Sequence, residues 1–403
     1  MLIEFKFRNF KSFKDETSLL MTNVKSFREL RDTNLIETNR EFDLLKTSAI
    51  FGINGSGKSN FVIAMAYMTG IIHNSFSNSL KKEEERPNHN FQFKLNTTCD
   101  KAPTFFEVSF LLDESIYRYG FEIFEHTIIK EWLFRKVERE TFLFERNRND
   151  FKINNKAFPE GKKRKDEVNE NVLFLSHLSQ YNQKISRTVF DWFSNINTIS
   201  GLRENAYEKF TTYLLEKDSN FKNWMTATLK FLEITNVDPG EEDGDIVTYH
   251  NKYDENNFLV DSVPFIARDE ESAGTTKLIY LLGPIYDTLR SGRILFIDEF
   301  DNKLHPNLTK KLVELFHEIN IHGAQLVFTC HDSNLLDKKL FRRDQIWFAS
   351  KNQFGISELY SLSEFNAQTV RKDSAFDKKY LGNEFGAAET LDVTDELTEL
   401  LYA

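Results

Sequence analysis

Eight consecutive residues, Gly52-Ile53-Asn54-Gly55-Ser56-Gly57-Lys58-Ser59, fit the pattern G-x-x-x-x-G-K-[ST] in full. Glycines at these positions let successive backbone N–H groups curve around phosphate oxygens, and a helix start behind them adds partial positive charge. Asn54, Gly55, Ser56 and Gly57 would then line a phosphate cradle. Lys58 would reach the β- and γ-phosphates of a triphosphate, and the Ser59 hydroxyl would ligate Mg²⁺. ATP and Mg²⁺ are the cofactors this implies.

Four further places can do chemistry with that loop. Ile294-Leu295-Phe296-Ile297-Asp298-Glu299 is an apolar run ending in two acids. Downstream of a phosphate loop, Asp298 would hold Mg²⁺ through water and Glu299 would orient or deprotonate the attacking water. Ser272-Ala273-Gly274-Thr275 precedes a helical pattern. It reads either as an ordinary N-cap or as a second phosphate clamp, a hydroxyl and a close-approach glycine at a helix start aimed at a neighbouring subunit's ATP. Its place in the chain order favours the clamp. His331 follows a buried run; it is either an ordinary satisfied histidine or, at the end of the strand after the acid pair, a contact to the γ-phosphate that reports its presence. Gln180 closes another apolar stretch; it is either a polar residue where an element ends or a contact to Mg²⁺ or the attacking water.

The elements around these residues must put them together. Ser48-Ala49-Ile50-Phe51 reads as a short buried strand, and Phe61, Met65, Met68 and Ile72 recur at helical spacing after Lys58, so the loop joins a strand to a helix. The first residues alternate, Ile3, Phe5 and Phe7 against Glu4, Lys6 and Arg8, as an edge or hairpin strand would. Residues 105 to 156 read as an antiparallel β region, and residues 183 to 236 as helical. A helix from Thr275 to Leu289 precedes two buried strands, 294–297 and 325–329, separated by a helix opening at Pro306.

Composition sets the outer bounds. The 403 residues carry 62 Asp and Glu against 52 Lys and Arg, a net charge of −10, which argues against a uniformly basic nucleic-acid binder but leaves room for a local basic path. No 18-residue apolar run exists, so no membrane partner is expected. Met1-Leu2-Ile3-Glu4-Phe5-Lys6-Phe7 does not read as a secretory signal. Two cysteines, Cys99 and Cys330, make no disulfide framework, which points to a cytoplasmic setting. The Lys162-Lys163-Arg164-Lys165 run reads as a solvated loop and Asp243-Gly244-Asp245 as a solvated turn.

In order, the phosphate loop, Gln180, the Ser272–Gly274–Thr275 element, the acid pair and His331 resemble the layout of ABC-type ATPases, in the branch of RecF, SMC and OLD-like proteins. That resemblance implies an α/β P-loop NTPase with a mixed central sheet flanked by helices, an antiparallel β subdomain and a helical insertion. It divides the chain into residues 1–180, an insertion over 181–262, and residues 263–403. It also implies a homodimer, or a higher oligomer built from it, in which each protomer's signature turn completes the other's site. More closely, Phe5-Lys6-Phe7-Arg8-Asn9-Phe10-Lys11-Ser12-Phe13, the loop with Asn60, Asp298-Glu299-Phe300-Asp301, Leu304-His305-Pro306, Thr329-Cys330-His331-Asp332, Asp344-Gln345-Ile346-Trp347-Phe348 and Val370-Arg371-Lys372 to Gly386 are similar to phage-defence ATPases of the RloA, AbiL and PARIS AriA kind.

The function this implies is an ATP-hydrolysing sensor or gate in antiviral defence, controlling a separately encoded effector such as a TOPRIM-like nuclease. The alternative is a RecF- or SMC-like DNA-repair or chromosome-maintenance ATPase, for which DNA stays a candidate partner, although no sustained heptads are present. Two departures stand out: the signature lacks the Leu-Ser-Gly-Gly-Gln lettering, and His305 stands where many ABC proteins carry Asp.

Overall fold

A computed structural model of the chain describes residues 1–87, 89–181, 183–202, 205–242, 244–365, 375–388, 394 and 400–402. Asp243 of the acidic loop and Val370, Arg371 and Lys372 of the tail motif lie outside the described residues.

The strand expected before the phosphate loop, β5 (Thr47–Phe51), is buried at every residue and stands inside a six-stranded sheet. Its neighbours are β16 (Gln325–Cys330) and β17 (Ile346–Lys351); beyond β16 come β15 (Ile294–Asp298) and β11 (Ile196–Ser200), and beyond β17 comes β18 (Ser357–Ser361). Five strands are parallel and β18 closes one edge antiparallel. Near-continuous apolar runs are what parallel strands buried on both faces require. Their alternation sorts two cores: Ile50, Phe296 and Val327 face one, while Ala49, Phe51, Leu295, Ile297, Leu326 and Phe328 face the other.

The first core is filled by α2 (Lys58–Ser79), whose Phe61 packs edge-on to Phe5. Helix α2 is sandwiched between the central sheet and a seven-stranded antiparallel sheet. The latter runs in the order β10 (Asp150–Ile153), β9 (Glu140–Asn147), β8 (Thr127–Lys136), β7 (Ser115–Phe124), β6 (Thr104–Leu112), β1 (Leu2–Arg8), β2 (Thr17–Leu20). The opening strand therefore has the expected inward face, but it is not an edge: Phe7 pairs with Thr17 on one side and Phe106 on the other. A short stretch beside it holds α1 (Arg31–Asn34) and the two-residue pair β3 (Leu35–Ile36) and β4 (Leu44–Leu45).

The segment expected to be a helical insertion is mixed. After α3 (Pro159–Lys162) and α4 (Phe174–Ser179), α5 (Lys184–Phe193) leads into β11, which pairs in parallel with β15 from Ile196↔Ile294 to Ser200↔Asp298. As an edge strand with Asn197, Thr198 and Ser200 only partly buried, β11 lacks the apolar run that marks its neighbours. Two helices follow as expected, α6 (Asn205–Lys217) and α7 (Ser219–Leu229). Then β12 (Ile234–Pro239), β13 (Ile246–Tyr253) and β14 (Leu259–Ile266) form a three-stranded antiparallel sheet, and the acidic turn joins two of its strands. Only one side of this sheet meets the core, through Ile234, Val237 and Ile246, so its strands read as polar.

The second core lies under α9 (Ala273–Ser291) and α10 (Pro306–Glu318). Pro284 inside α9 has no N–H for the carbonyl of Tyr280. Thr211 of α6 supplies the missing donor, its Oγ1 lying 2.6 Å from that carbonyl oxygen. The short α8 (Ala267–Glu270) precedes α9, and α11 (Phe376–Leu381) stacks Tyr380 on Phe348 of β17. Among the described residues no helix is long and apolar enough to cross a membrane.

Candidate nucleotide-binding site

The carboxyl ends of three adjacent parallel strands deliver the site: β5 the phosphate loop, β16 Thr329 to His331, and β15 Asp298 and Glu299. Ligands of parallel α/β sheets bind at this edge.

Within the loop, Gly57 sits at φ +113°, and a Cβ there would lie 2.5 Å from Ser357 Oγ. Ser357 Oγ is 2.8 Å from Ser12 Oγ, which also accepts from Asn60 Nδ2 at 2.8 Å. The N-terminal hairpin and β18 thereby brace the loop. Gly57 is the N-cap of α2 and offers no side-chain cap, which leaves the helix's first-turn N–H groups for a ligand. Ser56 Oγ is buried without a hydrogen-bond partner, an orphan that a phosphate oxygen would satisfy.

Lys58 is 4% exposed and donates to the carbonyls of Gly52 at 2.6 Å and Ile53 at 3.0 Å, with His331 Nδ1 at 3.5 Å. Burial lowers its pKa to about 8, against the opposing pull of Asp298, Asp301, Cys330 and Glu299. Burial, then the Lys58 charge, also lowers His331 below its ordinary value, which favours the neutral ring.

The acids are held from β16. Thr329 Oγ1 donates to Asp298 Oδ1 at 2.7 Å and accepts from the Glu299 N–H at 2.7 Å. Glu299 has φ +53°, a left-handed backbone that costs a non-glycine residue on the order of 1 kcal/mol or more. Its Oε2 accepts from Asn302 Nδ2 at 3.4 Å. Asp301 Oδ2 accepts from the N–H groups of His331 and Asp332, at 3.0 and 2.9 Å, which fastens the histidine loop to the acid loop.

The residues of the 272–275 turn lie apart from the phosphate loop. Ser272 caps α9, accepting from the Thr275 N–H at 3.2 Å, with the two hydroxyls 2.8 Å apart. Both roles weighed for the turn are compatible with this, because Ser272 and Ala273 are exposed. Gly274 admits the Lys303 carbonyl: a Cβ there would lie 2.7 Å from it. His305 caps α10 through Nδ1, at 3.2 Å from the Asn307 N–H, a structural task that Asp performs equally well.

Gln180 is not gathered into the site. It is exposed and bonds within its own turn, to Ser176 O and Ser179 Oγ. Ser176 is bonded to Ile72, which lies roughly 20 Å along α2 from Lys58 at the helical rise of about 1.5 Å per residue.

Thr329 is legible in the sequence only within a motif and Lys277 not at all. Both act on backbone atoms of the acid loop, for which sequence carries no pattern.

The sheet and the chemistry at its carboxyl edge define a P-loop NTPase, an α/β protein with a mixed, mostly parallel sheet and an antiparallel β subdomain. The chain belongs to the ATPase family described as "AAA domain, putative AbiEii toxin, Type IV TA system", which matches residues 48–337. Solved structures similar to it include the SMC head domain from Thermotoga maritima, 12% identical over 89% of this chain and 98% of that one, with a TM-score of 0.39. An SMC head bound to the C-terminal winged-helix domain of ScpA is 14% identical over 89% and 97%, with a TM-score of 0.37. No curated protein matches.

Proposed function

We propose that the chain is a Mg²⁺-dependent ATPase working as a homodimer. Each ATP lies between Lys58 of one copy and the 272–275 turn of the other. Asn54, Gly55, Ser56, Gly57 and Asn60 complete the cradle, and Ser272, Gly274 and Thr275 supply the second clamp. Ser59 would hold Mg²⁺ directly and Asp298 through water; Mg²⁺, when bound, offsets phosphate charge. The Glu299 carboxylate orients the attacking water and accepts its proton, Lys58 stabilises the growing charge on the γ-phosphate, and neutral His331 donates to that phosphate. Gln180 stands outside this set.

The observation that carries this reading is the exposed, self-capped turn. It has the donors of a phosphate clamp and bonds to nothing in its own phosphate loop among the described residues. The biological role we infer is a sensor or gate in prokaryotic antiviral defence, controlling a separately encoded effector such as a TOPRIM-like nuclease. The family's description, which pairs an AAA domain with a toxin, supports it.

The test is steady-state ATP hydrolysis by the purified chain, with and without duplex DNA. Mg²⁺-dependent turnover that Glu299→Gln reduces at least a hundredfold is expected; equal turnover by that variant contradicts the catalytic assignment. Strong stimulation by any duplex at physiological salt would instead favour a DNA-maintenance role.

A further inference from the structure

Lys277 is fully buried in α9, two residues beyond Thr275. Placing a lysine ammonium in a protein interior is strongly unfavourable unless it is well hydrogen-bonded. Its Nζ donates to the carbonyl oxygens of Asn302 at 2.6 Å and Glu299 at 3.2 Å. Both belong to the loop that follows β15. The contacts have a direction. Asn302, anchored through its carbonyl, donates its side-chain amide to the Glu299 carboxylate. Glu299, anchored through its own carbonyl, is the residue with the left-handed backbone. A strained conformation persists only where its surroundings over-determine it, and here the restraints come from Lys277 on one side and Thr329 on the other. One residue further, Asp301 grips the backbone of His331.

The same helix opens with the exposed turn, and Gly274 presses against the Lys303 carbonyl of the same loop. Helix α9 and the acid loop are thus joined at two points, three residues apart on the helix, so a shift of the turn is transmitted to the loop.

We propose that Lys277 is a positioning residue that couples engagement of the 272–275 turn by a second copy's triphosphate to placement of the Glu299 carboxylate at the chain's own triphosphate. This rests on the two-copy ATP arrangement proposed above. A protomer whose turn is empty holds its carboxylate off the productive position, and hydrolysis at the two sites becomes linked.

The test compares the full-length chain with Lys277→Met, which keeps the length and removes the donor, and with Lys277→Gln, which keeps one donor on a shorter stem. Three quantities are measured: affinity for a fluorescent ATP analogue, ATP-dependent dimerisation by light scattering, and turnover per chain against protein concentration. The parent's turnover should climb as dimers form. The Met variant should bind the analogue within about threefold of the parent and dimerise, with maximal turnover at least tenfold lower, unchanged KM and no rise on dimerisation; the Gln variant should fall between. Parental turnover in the Met dimer overturns the proposal. So does loss of nucleotide binding in both variants, which would make Lys277 purely structural. If the parent itself never dimerises with ATP, the sandwich reading fails first, and that outcome is read without either variant.

Discussion

Lys58 has the most to reveal at the scale of a single side chain. It is buried against its own loop carbonyls and is surrounded by carboxylates, and burial wins, lowering its pKa to about 8. In the free protein it therefore sheds its proton as pH rises through about 8. Phosphate binding favours the charged form and pulls the pKa back up. ATP binding near pH 8.5 should consequently take up protons, detectable by calorimetry in buffers of different ionisation enthalpy, and affinity should fall above that pH. Binding with no proton uptake there would contradict the environment described for Lys58. Lys58→Ala should weaken nucleotide affinity at least tenfold at pH 7, and unchanged affinity would remove the phosphate-cradle assignment. Lys58, Asp298, Glu299 and His331 were legible in the sequence because each stands in or beside a short contiguous pattern. Thr329 was legible only as a member of the Thr329–Asp332 motif and Lys277 not at all, because they work on the N–H and C=O of Glu299 and on the carbonyl of Asn302, and every residue type carries those groups.

The same contrast holds among elements. Strands β5, β15 and β16 were legible as apolar runs because both their faces are buried. Strand β11 and the β12–β14 sheet were read as helical territory, since an edge strand and a one-sided sheet keep many polar residues. The interior position of β1 depends on pairing with β6, a hundred residues away, which local alternation does not encode. One contact between elements invites a direct measurement. Thr211 is the donor that satisfies the Tyr280 carbonyl opposite Pro284 and thereby ties α6 to α9. Replacing it by Val, of equal size, leaves a buried carbonyl unpaired. That should cost about 1–3 kcal/mol in denaturant unfolding; Thr211→Val with an unchanged midpoint would mean that the Tyr280 carbonyl does not depend on this donor.

At the scale of the molecule, the proposed two-copy site divides into two parts that the fold keeps apart. The phosphate loop, acid pair and His331 share one edge of the central sheet, while the 272–275 turn heads a helix on the sheet's other face and is capped by its own side chains. In the proposed arrangement a second copy's turn completes the ATP cage, and occupancy and assembly become one equilibrium. Ligand that binds only the dimer drives dimerisation by mass action, and hydrolysis releases it. A cycle of this kind lets an ATPase report its nucleotide state to a separate effector through its oligomeric state.

That interdependence is tested most directly by light scattering on the Glu299→Gln chain, with and without ATP and Mg²⁺. The expected result is a monomer without nucleotide and a stable dimer with it, retaining two intact ATP molecules, with the dimer abolished when Lys58→Ala is added. A Glu299→Gln chain that binds ATP and stays monomeric at every concentration would contradict the two-copy site.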